Sequence, residues 1–156
     1  MVTILSRNVE AAIAALLKVL TDFDWKPRQD DGNPGIYLID FGEPHTPLAD
    51  AIATITTDTE RFILYLNFGP TAAEDYRDET ARFIALANWK LSIGNFEFDY
   101  DEGEVRFKTS IDFAGAELSE KLIRNAISNA MSAMEMYAGG LIEVMSGGRS
   151  AQGMEG

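Results

Sequence analysis

The stretch "FEFDYDEGEVRF", residues 96 to 107, sets four carboxylates (Asp99, Asp101, Glu102 and Glu104) around one glycine. Phe96, Phe98 and Tyr100 alternate with Glu97, Asp99 and Asp101. On the return, Val105, Phe107, Thr109, Ile111 and Phe113 alternate with Arg106, Lys108 and Asp112. Period-two alternation marks a half-buried strand, so the two runs predict a hairpin. Apolar must oppose apolar, because a one-residue slip turns every side chain over. A symmetric connection around Glu102-Gly103 meets that condition. It sets Tyr100 opposite Val105 and Phe98 opposite Phe107, with Asp99–Arg106 and Glu97–Lys108 as cross-strand ion pairs.

That pairing accounts for most of the acidic cluster without a ligand. A calcium loop of the EF-hand type needs oxygen ligands at positions 1, 3 and 5, glycine at 6 and glutamate at 12. Counting from Asp99, position 5 is already Gly103 and position 12 is Ser110, and the flanks are strands. A solvated rim is the better reading, with a small-ligand or metal site on hairpin 97–104 as the alternative. "DDGNPG", residues 30 to 35, consists of turn formers. Acid–base catalysis needs one carboxyl in a desolvating environment, whereas Glu97 and Asp99 face basic partners. His45, the one histidine, stands in the proline-flanked "GEPHTPL" and reads as a loop residue; no G-x-S-x-G elbow and no phosphate-binding glycine loop accompanies it. The chain reads as a non-enzyme with no cofactor.

Outward from the hairpin, the elements follow from periodicity. Val9, Ile13, Leu16, Leu17 and Leu20 predict a helix over about residues 8 to 22. "GIYLIDF", "ADAIATITT" and "RFILYLNF" predict three strands, the last two joined by "DTE" as a hairpin. "RFILYLNF" is apolar on both faces, which predicts a central strand covered on both. Thr71 and Glu74 form a capping-box pattern ahead of a second helix that Gly94 ends. A third helix runs from Ser119 to about Met145, with an apolar arc of roughly 200° against the ~100° of an ordinary surface helix. Such an arc asks for insertion between layers or for a second chain. Gly139-Gly140 inside it predicts a kink or a close backbone contact.

Bulk properties narrow the class. One chain of 156 residues, 46% hydrophobic and 24% charged, is a single globular domain. Residues 1–146 form that domain, and 147–156, "GGRSAQGMEG", read as a flexible tail. Thirteen scattered basic residues against twenty-five acidic ones give a net charge of −12, which opposes binding to nucleic acid and to anionic membranes. There is no cysteine, and Glu10 and Lys18 interrupt the apolar N-terminal run. A cytoplasmic protein is the expectation. Met131, Met134, Met136 and Met145 share the last helix, and thioethers suit adaptable binding surfaces.

The element order, Asn88, the Gly-x-Phe of Gly94 and Phe96, the acidic-Gly-Glu-Val turn, the basic strand edge after it and the Leu118-Ser119 helix start together resemble the YbjN-like family. That family is similar to the type III secretion chaperone-like fold. The likeness begins near Phe62 and is densest from "ALANWKLSIGNFEFDYDEGEVRFKTSIDF" through "ELSEKLIRNAISNAMSAMEMYAGGLIEVMSG"; Trp89 departs from it, in place of a smaller or aliphatic side chain. The resemblance implies an α+β fold of helix, three strands, helix, two strands and helix, with helices packed on an antiparallel sheet. It implies a regulator of sensory transduction, and chaperones of similar fold are small acidic cytoplasmic homodimers that hold segments of other proteins. The expected function is chaperone-like or regulatory binding of a protein or peptide, with Trp89, Met131, Met134, Met136 and Tyr137 as partner or dimer contacts.

Overall fold

Ser6 opens the first helix by accepting the Val9 N–H on its hydroxyl at 3.1 Å, which satisfies one of the amides a helix start leaves free. The structure, a computed structural model, describes residues 4–42 and 47–151. Its elements are α1 (Arg7–Asp22), β1 (Arg28–Gln29), β2 (Ile36–Asp40), β3 (Leu48–Ile55), β4 (Arg61–Phe68), a 3-10 turn (Glu74–Tyr76), α2 (Arg77–Lys90), β5 (Asn95–Asp99), β6 (Glu104–Asp112) and α3 (Glu120–Met145). The six strands form one antiparallel sheet in the order β1-β2-β3-β4-β6-β5. The chain leaves β4, crosses the sheet as α2, lays β5 on the far edge and returns as β6 beside β4. The expected α+β architecture is present, with β1 added; two residues carry no periodicity to read.

Alternation sorts every strand into two faces. Phe62, Leu64, Leu66 and Phe68 of β4 share the core face with Ala51, Ala53 and Ile55 of β3 and with Phe96, Val105 and Phe107 of the hairpin, all buried. All three helices lie on that face: α1 against β3, α3 against β6 and α2 against β5. Burying each such Phe, Leu or Ile is worth about 1.5–3 kcal/mol. The other face carries Ile36, Leu38, Ile52, Ile63 and Tyr65, half-buried, and no element among the described residues covers it. β4 is therefore central but covered on one face only, against the expectation of two.

The width of the α3 arc has an internal cause. α3 lies between α1 and α2 as well as on the sheet, and Ile123, Ala126, Ile127, Ala133, Leu141 and Val144 are all buried. Leu122 and Met131 of the same helix stay exposed, at 44% and 38%. Gly140 meets the predicted close contact: a Cβ there would stand 3.2 Å from the Phe83 ring of α2. Gly139 faces open space. α3 starts as predicted, with Ser119 accepting the Leu122 N–H at 3.1 Å.

The capping box does not form. Ala73, not Thr71, precedes the 3-10 turn, and no side chain caps it. Backbone bonds take over that role: Ala72 N–H donates to Gly103 at 2.8 Å and Ala73 N–H to Met145 at 3.2 Å. Residues 147–151 also depart from a free tail. Gly147 packs on the Tyr76 ring, and buried Ala151 donates its N–H to Glu79 at 2.9 Å.

Candidate functional site

The acidic hairpin pairs two residues away from the expected register: Phe98 opposes Val105, Phe96 opposes Phe107 and Glu97 opposes Arg106. A shift of two keeps every side chain on its predicted face but lengthens the turn to residues 100–103. Gly103 decides it. Its φ of 76° suits glycine, its N–H donates to Asp99 at 2.7 Å, and a Cβ would stand 2.4 Å from the Ala72 carbonyl oxygen. Asp99 consequently has no ion pair with Arg106. One of its carboxylate oxygens accepts the N–H groups of Asp101 and Glu102 at 3.0 and 3.2 Å, holding the turn.

Glu97 takes both basic partners instead, Arg106 at 2.7 Å and Lys108 at 2.8 Å. Burial pushes its carboxyl up, but hydrogen bonds from Lys108 and Arg106 outweigh that and leave it below the usual glutamate range. Arg106 also lies 4.2 Å over the Tyr65 ring. Arg77 donates to the Asp101 carbonyl at 2.7 Å, and the Tyr100 hydroxyl donates to Asp78. A cleft of about 520 Å³ lies beside the hairpin, lined by Thr71, Glu97, Phe98, Asp99, Glu104 and Arg106 among others. Among the described residues no group of three or more acidic or histidine side chains is placed to hold a metal ion. His45 lies outside the described residues.

The five expected contact residues divide. Met134 and Tyr137 are buried, and the Tyr137 ring meets Phe96 edge-on at 6.2 Å; they are core, because α3 turns that stripe onto the sheet. Trp89 is 90% exposed, Met136 72% and Met131 38%. Met131 borders an open groove of about 410 Å³ with Pro47, Leu48, Met134 and Ala138. Trp89 and Met136 stand on the solvent side of the α2–α3 layer. Those two helices run antiparallel, since Phe83 meets Gly140 and Tyr76 meets Gly147.

Asn88 has a role that spacing alone did not reveal. Its amide accepts the Phe96 N–H at 2.8 Å and donates to the Phe96 carbonyl at 3.1 Å, occupying the free side of edge strand β5. The opposite edge, β1, is two residues long. Both edges are thus poor templates for an added strand. The uncovered sheet face went unread for a related reason: the apolar pattern of β4 gives its position in the sheet, not what lies above it.

Helices on one face of an antiparallel sheet, blunted edges and the exposed Trp89 and Met136 on the helix layer define a small α+β domain. The chain belongs to the YbjN family, described as "putative bacterial sensory transduction regulator", whose model matches residues 12–143. The fold is similar to an uncharacterized protein from Methanothermobacter thermautotrophicus (TM-score 0.59, 13% identity, 86% of this chain and 99% of that one). It is also similar to E. coli YbjN, described as "a putative transcription regulator" (TM-score 0.51, 12% identity, 77% of this chain and 92% of that one). No curated protein matches it. No helix among the described residues is long and apolar enough to cross a membrane.

Proposed function

We propose that this chain is a non-enzymatic regulatory or chaperone-like domain that binds a protein or peptide on its helix layer. The supporting observation is Trp89, 90% exposed on α2, with Met136, 72% exposed, on the antiparallel neighbour α3. A tryptophan left in water forgoes a large apolar burial, and Trp is the side chain most enriched where binding energy concentrates. Met136 adds an adaptable thioether. An acidic surface of net charge −12 selects a basic or neutral partner.

A photoreactive residue at position 136, in the full chain in its native cell, tests this. Discrete crosslinked partners are expected that disappear with Trp89→Ser and are not captured from Asp58 in the β3–β4 turn. The same products from both positions would sink the reading. The alternative, a cation held by hairpin 97–104, predicts heat in calcium calorimetry that the Asp99→Asn/Asp101→Asn variant loses.

A further inference from the structure

β5 is shorter than the strand it lies against. It pairs with Glu104 to Lys108, whereas β6 continues to Asp112. Gly94 marks where the pairing begins. Its φ of 75° turns the chain away from the sheet, and a Cβ there would stand 2.6 Å from the Phe107 ring. A recess of about 310 Å³ is left beside β6, bordered by Ile93, Gly94, Thr109 and Ser110.

The hydrogen-bond phase of β6 shows what faces that recess. Opposed residues of an antiparallel ladder alternate between bonded and non-bonded pairs. Phe113 donates its N–H to the Glu60 carbonyl at 3.0 Å, just beyond the Arg61–Asp112 pair. Thr109 and Ile111 therefore bond toward β4, while Ser110 and Asp112 turn their N–H and C=O groups to the side that β5 has vacated. Both residues are exposed, and among the described residues no backbone group bonds to them on that side. Unpaired strand groups of this kind are a template for another strand. Asn88 closes the outer edge at β5 and β1 is too short to serve, but this inner stretch is open.

We propose that the open stretch Ser110–Asp112 of β6 receives an extended segment of another protein, added in line with β5 and antiparallel to β6. Strand addition of this kind takes its affinity from main-chain bonds and its selectivity from alternate side chains. Continuing the β5 register, one residue of the segment exchanges both hydrogen bonds with Ser110. The residue two positions before it does the same with Asp112. The residue between them opposes Ile111 on the helix side of the sheet, where Ile111 is half-buried and Ile93, 50% exposed, borders the recess. An apolar side chain suits that position. The residue opposite Asp112 shares the outer face with it. Lys108 on that face is held by Glu97 at 2.8 Å, whereas Asp112 makes no ion pair among the described residues, even with Arg61 opposite it on β4. A basic side chain opposite Asp112 is therefore favoured, and the net charge of −12 favours it at long range. The segment reads basic, apolar, polar from its N-terminal end. Neither Trp89 nor Met136 takes part, so the site is independent of the helix-layer partner.

A fluorescein-labelled peptide, Val-Arg-Ile-Thr, titrated into the full chain tests this by anisotropy and by amide hydrogen exchange. Saturable binding is expected, with exchange of the Ser110 and Asp112 amides slowed at least tenfold. Methylating the threonine N–H of the peptide, which would donate to Ser110, should abolish binding. Methylating its isoleucine N–H, which points away from β6, should leave binding intact. Ser110→Pro removes an N–H that lies outside the β4 ladder. Its thermal midpoint should stay near that of the parent while peptide affinity falls at least tenfold. Asp112→Asn keeps an acceptor for the Ala114 N–H, now bonded at 3.1 Å, and should weaken the arginine peptide but not its glutamine counterpart. No binding at millimolar peptide overturns the proposal, as does binding that ignores Ser110→Pro or is lost equally with either methyl group. Slow exchange of both amides in the protein alone, deepening with its concentration, would assign the stretch to a second copy and overturn it too. Crosslinking at position 136 reports on the helix layer and stands or falls separately.

Discussion

Asn88 closes the exposed edge of the sheet with both ends of one amide. Replacing it by Ala strips the Phe96 N–H of its partner and leaves the Phe96 carbonyl only the Asn95 amide at 3.2 Å, at a cost of about 1–3 kcal/mol for a polar group left unsatisfied. Urea unfolding of Asn88→Ala should show that loss, with the slope unchanged. Glu97 makes a prediction in pH. Burial raises its carboxyl, and the hydrogen bonds from Lys108 and Arg106 override that to leave it depressed. A carboxyl depressed by folding contributes fully above its unfolded value of about 4.3 and loses that contribution as pH falls through its folded value. Stability should therefore drop on acidification from about pH 5 downward, and Glu97→Gln should flatten part of the drop in urea midpoints. At this scale the sequence was half legible. Alternation placed Glu97 and Asp99 on the polar face, but registers two residues apart satisfy alternation equally. Only the packing of Gly103 on Ala72, far off in sequence and outside any local pattern, selects one.

α3 carries two adjacent glycines with opposite physical roles. Gly140 lets the Phe83 ring of α2 approach, whereas a Cβ at Gly139 would meet nothing within 4 Å. Glycine inside a helix costs about 1 kcal/mol relative to alanine. Gly139→Ala should raise stability by about that much. Gly140→Ala should gain less or lose, because its Cβ would stand 3.2 Å from the ring and Phe83 is itself fully packed. Thermal midpoints of the two variants, measured together, separate the helix effect from the packing effect. The extent of α3 and its Ser119 cap were readable from periodicity and composition. The reason for its broad apolar arc was not, since a sequence gives the width of the arc and not the number of neighbours that share it. Thr71 failed for the converse reason. Its capping pattern was locally sound, but the bonds from Ala72 to Gly103 and from Ala73 to Met145 pin the backbone where a different start is required.

For the whole molecule the dominant electrostatic fact is imbalance. Ion pairs tie α1 to α3 (Asp22 to Arg124 at 2.9 Å, Lys18 to Glu120 at 3.4 Å) and cross the hairpin at Glu97, but their side chains are partly or largely exposed. Such pairs contribute about 0–1 kcal/mol each. Against them stand twelve acidic charges in excess, spread over one domain, which repel at the distances that salt screens. Added salt weakens both terms, and the excess decides the sign. Raising sodium chloride from about 0.02 M to 0.5 M shortens the screening length from roughly 20 Å to under 5 Å. The thermal midpoint should rise, by roughly 2–4 °C for each kcal/mol of repulsion relieved in a chain of this size. A midpoint that falls instead would mean that the Asp22 and Glu97 pairs outweigh the excess charge. The Glu97→Gln variant would then lose part of that fall, since the Asp22 pairs would remain.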